Sequence, residues 1–178
     1  MIPKLFLSRE VFMVIETIKK RRSIREYTYE EISDKDIYEV LNAGLNAPSG
    51  KNRQPWRFLV VKNKLKIKQI SKHTIYSRFI RNAPVLILVY ISPSDEYPLE
   101  KDILSVGMCI QNILLVATDM GYGTCVIGEL FNKDLDEIFL VGKENILVCG
   151  ICIGKPKANP IIKNPLNLED FLLISEQE

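Results

Sequence analysis

The chain has 178 residues, 47% of them apolar and 26% charged, an ordinary globular balance that excludes the disordered and coiled-coil classes. One domain of this length buries roughly 70% of its unfolded surface, so neither a metal nor a disulfide framework is needed to hold it together. With 24 basic against 22 acidic residues the net charge is only +2, too small to make nucleic acid a general partner, and any anion site must be local.

Residues 1–10 are briefly apolar, but Lys4, Arg9 and Glu10 interrupt them before the apolar region of a signal peptide develops. The longest apolar runs, 83–91 and 103–118, fall short of the roughly 20 residues of a membrane span, and the second contains Ser105, Gln111 and Asn112. A cytoplasmic protein without a membrane partner is expected. Cys109, Cys125, Cys149 and Cys152 sit in apolar surroundings and read as buried free thiols, with a disulfide framework as the alternative.

In chain order, Val11, Phe12, Ile15 and Ile18 recur at helical spacing and predict a helix over 8–20 with Ser8 as its N-cap, ending in a basic cluster. Ser33 can cap a second helix over 33–47, with Asp36 three residues on and Ile37, Val40, Leu41 and Leu45 as one apolar stripe. Pro48 stops it. A short buried strand over 58–61 and a lysine-rich helix over 64–73 follow, then a β-branched strand over 84–91.

The next helix, 99–120, carries Ile103, Val106, Ile110, Leu114 and Ala117 on one face and Cys109, Ile113, Leu115 and Val116 on others. A helix apolar all round is buried on every side or shared with a second subunit. Gly121 and Gly123 close it and lead to a strand over 124–127 and Gly128. A helix over 133–140 and a strand over 146–153 precede an extended tail from Lys155 with three prolines by Pro165, ending in an apolar segment, 168–174. Helices and strands mix without a regular βαβ beat, so the fold class is α+β, in a single domain over 1–178 without internal repeats.

Two stretches carry the candidate chemistry. Lys19-Lys-Arg-Arg-Ser-Ile-Arg25 places five cations in seven residues. They either complement the negative end of the first helix or bind a phosphate through guanidinium forks and the Ser23 hydroxyl. Residues 46–58 form a loop of small, amide and proline residues ending in the lone tryptophan, Trp56. Asn52 and Gln54 each offer a donor and an acceptor, which either satisfy the loop's own backbone or meet the edge of a heterocycle such as a flavin pyrimidine. Cys149-Gly-Ile-Cys152 has C-x-x-C spacing, but on a strand residues three apart face opposite ways and cannot share a metal. The one histidine, His73, is expected at a polar helix end, and no metal cluster or nucleophilic triad is read around it.

Taken together, Arg21-Arg-Ser-Ile-Arg25, Ala47-Pro-Ser-Gly-Lys-Asn-Arg-Gln-Pro-Trp56, Gly121-Tyr-Gly-Thr-Cys-Val-Ile-Gly128 and Ile153-Gly-Lys-Pro156 resemble the flavin-dependent nitroreductase family in order and spacing over nearly the whole chain. That resemblance implies a central, mostly antiparallel sheet flanked by helices, and a C-terminal segment wrapping a partner subunit. It implies a homodimer with FMN at the subunit interface, NADH or NADPH as reductant, and two-electron reduction of nitroaromatics or quinones by ping-pong hydride transfer through flavin N5. By the same resemblance Arg21, Arg22 and Ser23 hold the phosphate and ribityl end, Arg25 approaches the pyrimidine edge, and Lys163 lies near the phosphate. Pro48, Ser49, Gly50 and Asn52 reach the flavin from the partner, and the backbone of Ile127 and Gly128 faces N5. By the resemblance, Ile161 stands at a position that is also basic in some relatives, and Arg78 and Arg81 are candidates for a further cation at the pyrimidine edge. A same-fold flavoenzyme for one particular metabolite and a flavin-binding module with little turnover are the alternatives.

Overall fold

The computed structural model describes residues 9–130, 135, 139, 141–142, 144–158 and 166–173. Helix α1 spans Arg9–Lys20, α2 Asp34–Leu45, α3 Lys64–Ile70, α4 Ser77–Arg81 and α5 Leu99–Asp119. Strands are β1 Trp56–Val61, β2 Val85–Ile91, β3 Gly123–Ile127 and β4 Ile146–Gly154. They form one sheet in the order β1-β2-β4-β3, each neighbouring pair antiparallel, as an α+β fold requires.

Strand β2, Val-Leu-Ile-Leu-Val-Tyr-Ile, is apolar on both faces, and all seven residues are buried. Val85, Ile87, Val89 and Ile91 face α2 and α5 in one core; Leu86, Leu88 and Tyr90 face Ile67 of α3 and Ile80 of α4 in the other. At about 1.5–3 kcal/mol for each large apolar side chain removed from water, this strand alone contributes on the order of 10 kcal/mol of gross burial energy. Leu135 and Phe139, the described residues of the helix expected over 133–140, are helical and pack into the second core.

Helix α2 begins as expected: Ser33 Oγ accepts the Asp36 N–H at 3.0 Å, satisfying one of the free donors of the first turn. It ends at Leu45, two residues short of the expected limit, with the Ala47 N–H donating back to the Gly44 carbonyl. Gly44 lies where α2 crosses α5, and a Cβ there would stand 2.9 Å from Cys109 Sγ and from Ile113 Cγ1. Strand β1 starts at Trp56 rather than Phe58, because Trp56 already pairs with Ile91. The helix expected over 64–73 becomes α3 and a 3-10 turn at Ser71–His73; His73, half-buried, closes that turn. Helix α4 was not read from the sequence: five residues hold too little periodicity to show it.

Helix α5 buries Val106, Cys109, Ile113 and Ala117, while Ile103 and Leu104 are 47% and 67% exposed. At 21 residues it has the length of a membrane span. Its first turn, however, carries Glu100 and Asp102, with Asp102 buried and ion-paired to Arg53, and one side packs on the sheet. Met13, Val14 and Ile18 of α1 are also exposed. The all-round apolar character of α5 therefore exceeds what the described residues of one copy cover. Ser8 and, in the tail, residues 159–165 and 174–178 lie outside the described residues; Leu168–Phe171 forms an exposed 3-10 turn.

Gly44→Val inserts a branched side chain between two packed helices and should cost about 1–2 kcal/mol net of its helix-propensity gain, read from urea midpoints. An unchanged midpoint would show that α2 and α5 part freely.

Candidate functional site

The basic segment leaves α1 and runs beside β3. Ser23 bridges Thr124 in parallel, and the Ile24 N–H donates to the Thr124 carbonyl at 2.8 Å. Ile24 turns inward onto Gly123, where a Cβ would come within 2.6 Å of its Cγ1, so glycine permits this approach. With Ile24 buried, Ser23 and Arg25 are exposed and Arg21 is half-buried, since residues two apart in an extended run share a face. Arg22 behaves differently. Its guanidinium donates to the carbonyls of Lys19 and Arg21, both at 2.6 Å, so this cation serves the open end of α1.

Arg25 lies over the Phe79 ring at 5.4 Å and, with Tyr76, Phe79, Cys125, Ile127 and Gly128, lines a cavity of about 280 Å³. Arg78 joins Arg25 at a neighbouring cavity of about 450 Å³, whereas Arg81 borders a different one. Arg78 thus shares a cavity with Arg25, and Arg81 does not. The Thr124 hydroxyl, beside Ser23, is buried and has no hydrogen-bond partner among the described residues.

The 46–58 loop is bound tightly to itself. Ser49 Oγ accepts the Gln54 N–H at 3.0 Å, and Gln54 Nε2 donates to Asn52 Oδ1 at 3.0 Å. Internal satisfaction therefore claims the Asn52 oxygen, while Nδ2 of this exposed residue makes no hydrogen bond among the described residues. Lys51, Asn52 and Gln54 have φ of 51°, 54° and 51°, in the left-handed region. Asparagine tolerates it, but Lys51 and Gln54 cost on the order of 1 kcal/mol each. Between them Arg53 forks onto Asp102, Nε to Oδ1 at 3.2 Å and a terminal nitrogen to Oδ2 at 3.1 Å. Gly50 faces Tyr97 so closely that a Cβ would overlap the tyrosine hydroxyl. Arg53, Asp102 and Tyr97 were not read from the sequence, because no local pattern links residues 49 positions apart.

The candidate residues thus fall in two groups. Arg21, Ser23, Arg25, Ile127 and Gly128 gather at the β3 edge; Pro48, Ser49, Gly50 and Asn52 gather before β1. β1 and β3 are opposite edges of the sheet, separated by three strand spacings or about 14 Å. Lys163 lies outside the described residues.

All four cysteines are free and buried. Cys149 belongs to the core on the α5 side and Cys152 to the other, so the two thiols of the C-x-x-C do face opposite ways. Burial pushes the Cys109 thiol up to about 12; Cys149 is pushed up to about 12 by burial and, secondarily, by Cys109. Cys152 is raised by burial and then by Cys125, and Cys125 by burial against the pull of Arg25.

Cations beside a cavity at one sheet edge and an amide-rich strained loop at the other mark out an α+β protein with two candidate ligand segments. Comparison with known proteins gives that class its family. The nitroreductase family model matches residues 18–75 and 64–155. A protein of Archaeoglobus fulgidus named as an NADH dehydrogenase/NAD(P)H nitroreductase is 32% identical over 148 residues, 80% of this chain and 85% of its own. An iodotyrosine deiodinase of Thermotoga neapolitana is 31% identical over 180 residues, 87% of this chain and 94% of its own. A Desulfovibrio desulfuricans structure titled as a nitroreductase in complex with FMN superposes with a TM-score of 0.82 at 34% identity, over 93% of this chain and 98% of that one. The chain belongs to the nitroreductase family.

Each buried thiol titrates above the ordinary 9.0, so the fold favours its protonated form. That contribution is complete below pH 9 and is lost as pH rises towards 12. The urea midpoint should therefore fall between about pH 9 and pH 11. At neutral pH iodoacetamide should leave the native protein unmodified and label four thiols in urea; native-state labelling would contradict the burial.

Proposed function

We propose that this protein is an FMN-dependent oxidoreductase that uses NADH or NADPH to reduce nitroaromatic or quinone acceptors by two electrons, as a cytoplasmic homodimer. The observation that carries the proposal is the division of the candidate residues between two sheet edges, combined with exposed apolar faces on α1 and α5. One copy holds Arg25 and the Ile127–Gly128 turn at one edge and Asn52 at the other. A second copy lets one chain's loop meet the other chain's cations.

The residues present suit FMN. Guanidinium forks at Arg21, with the Ser23 hydroxyl, match a phosphate and ribityl chain; Lys163 adds a late cation by family resemblance. The unpartnered Thr124 hydroxyl lies beside them. Arg25 supplies positive charge and Asn52 Nδ2 a donor to a pyrimidine edge, and Pro48, Ser49 and Gly50 shape the surface that the ring would lie on. Bound FMN would supply the two-electron hydride chemistry. The chain's own tasks are then to orient the ring, to place backbone N–H groups of Ile127 and Gly128 near its reactive nitrogen, and to offset negative charge with Arg25. Arg22, which serves the helix end, contributes to the local positive field rather than a direct bond.

Docking of a second copy falls to the groove between α1, α2 and α5, about 460 Å³ and lined by Met13, Val14, Ala43, Leu115 and Val116. Asn46, which also borders it, opens the candidate loop. Dimerisation and cofactor retention are thereby tied together.

A second reading rests on the similarity to the iodotyrosine deiodinase, which spans as much of the chain as the nitroreductase similarity. It keeps the flavin and replaces the acceptor with a halogenated tyrosine.

The purified protein should be yellow, release FMN on heating and bleach near 450 nm when NADH or NADPH is added without oxygen. A colourless protein that refuses added FMN would sink both readings. Turnover of a nitrofuran or menadione, against deiodination of 3-iodotyrosine, separates them. Arg21→Ala with Lys163→Ala should weaken FMN binding by about 2–3 kcal/mol, and unchanged occupancy would refute the phosphate assignment.

A further inference from the structure

We propose that Arg53 and Asp102, backed by Tyr97, form a positioning brace that holds the 49–54 loop in its ligand-binding conformation. Through it, the start of α5 becomes a determinant of flavin affinity. The inference rests on the flavin reading above for its functional consequence, but not for the brace itself.

Three observations converge. The first is geometric. Asp102 is 1% exposed, and both of its oxygens receive bonds from one guanidinium at 3.1 and 3.2 Å, the planar fork that fixes direction as well as distance. The same guanidinium reaches the Ser92 carbonyl at 3.5 Å, at the exit of β2. Arg53 is thus tied both to the helix that crosses the sheet and to the end of its central strand.

The second is where the fork attaches. Arg53 has ordinary helical backbone angles, φ −67° and ψ −31°, yet Lys51, Asn52 and Gln54 around it are left-handed. Such a run persists only if its surroundings over-determine it. A buried ion pair contributes little net stability compared with apolar residues of the same volume, because both charges lose their water. Its placement inside the strained run points to conformational specificity as its contribution.

The third is the backstop. Tyr97 leaves no room for a Cβ at Gly50, and its ring sits 5.3 Å from the Arg53 guanidinium, 5.9 Å from Lys51 Nζ and 5.8 Å from Lys101 Nζ. The loop is thereby confined at Gly50, Lys51 and Arg53. Asn52 Nδ2, the donor offered to the ligand, stands next to the pinned residue. Loss of the fork frees Asn52 to leave that pose, so the ring end of a flavin loses its preorganised surface while the phosphate end, at the other sheet edge, is untouched.

The test uses full-length protein carrying Asp102→Asn, Arg53→Lys or, as a milder variant that leaves the buried pair intact, Tyr97→Leu. Hydrogen exchange of the apoprotein should be faster at residues 49–54 in each variant, with α2 and β2 protected as before. Dissociation constants for FMN and for riboflavin, which lacks the phosphate, should both rise about tenfold or more, leaving their ratio unchanged. Arg21→Ala should instead change that ratio. Unchanged loop exchange in Arg53→Lys and Tyr97→Leu overturns the brace whether or not flavin binds. A lowered melting temperature with unchanged dissociation constants overturns its functional role and leaves a structural staple. A wild-type chain that binds neither flavin, while the variants still loosen the loop, overturns the flavin reading and retains the brace.

Discussion

Every residue of β2 is buried, and that burial governs the rest of the molecule. A strand apolar on both faces must be covered on both, so the sheet becomes a middle layer, with α2 and α5 on one side and α3, α4 and the residues around Ile24 and Tyr27 on the other. The antiparallel order β1-β2-β4-β3 places β2 and β4 inside and leaves β1 and β3 as edges. Both candidate ligand segments attach to those edges. The central strand thus sets the distance between them as well as the stability of the core.

That distance is the main functional consequence of the fold. In one chain Arg25 and the Ile127–Gly128 turn lie at one edge and Asn52 at the other, about 14 Å apart by strand spacing, and the proposed flavin site would draw them from two copies. The uncovered apolar sides of α1 and α5 supply the surface by which two copies would bring these segments together. On the proposed reading, exposed apolar area and a divided site belong together, the cofactor site being completed by association of two copies. On the same reading, strain in the 46–58 loop would hold the loop's shape before a partner's ligand arrives.

Much of this was legible in the sequence. The seven apolar residues of β2, the Ser33 cap of α2 and the long α5 carry local signals that tertiary packing only confirms. The cation cluster and the amide loop stood out by composition. Other features were not legible. Helix α4 is too short for periodicity, and β1 begins at Trp56 because of its partner Ile91, not because of its own pattern. Of the two readings of the basic cluster, the helix-end one holds at Arg22, while Ser23 and Arg25 are exposed. The amides divided in the same way, with the Asn52 oxygen taken internally and its nitrogen making no hydrogen bond among the described residues.

By itself, then, the sequence determined which segments are helix or strand, which faces are apolar and which residue types are offered to a ligand, because those follow from spacing along one chain. Only the tertiary structure decided which offered groups meet. The pairing of Arg53 with Asp102, the closeness of Gly50 to Tyr97 and the separation of Arg25 from Asn52 depend on strand order and helix crossing. Those are contacts between residues far apart in the chain, whose free energy is realised only when the core closes around β2 and therefore leaves no local pattern to read.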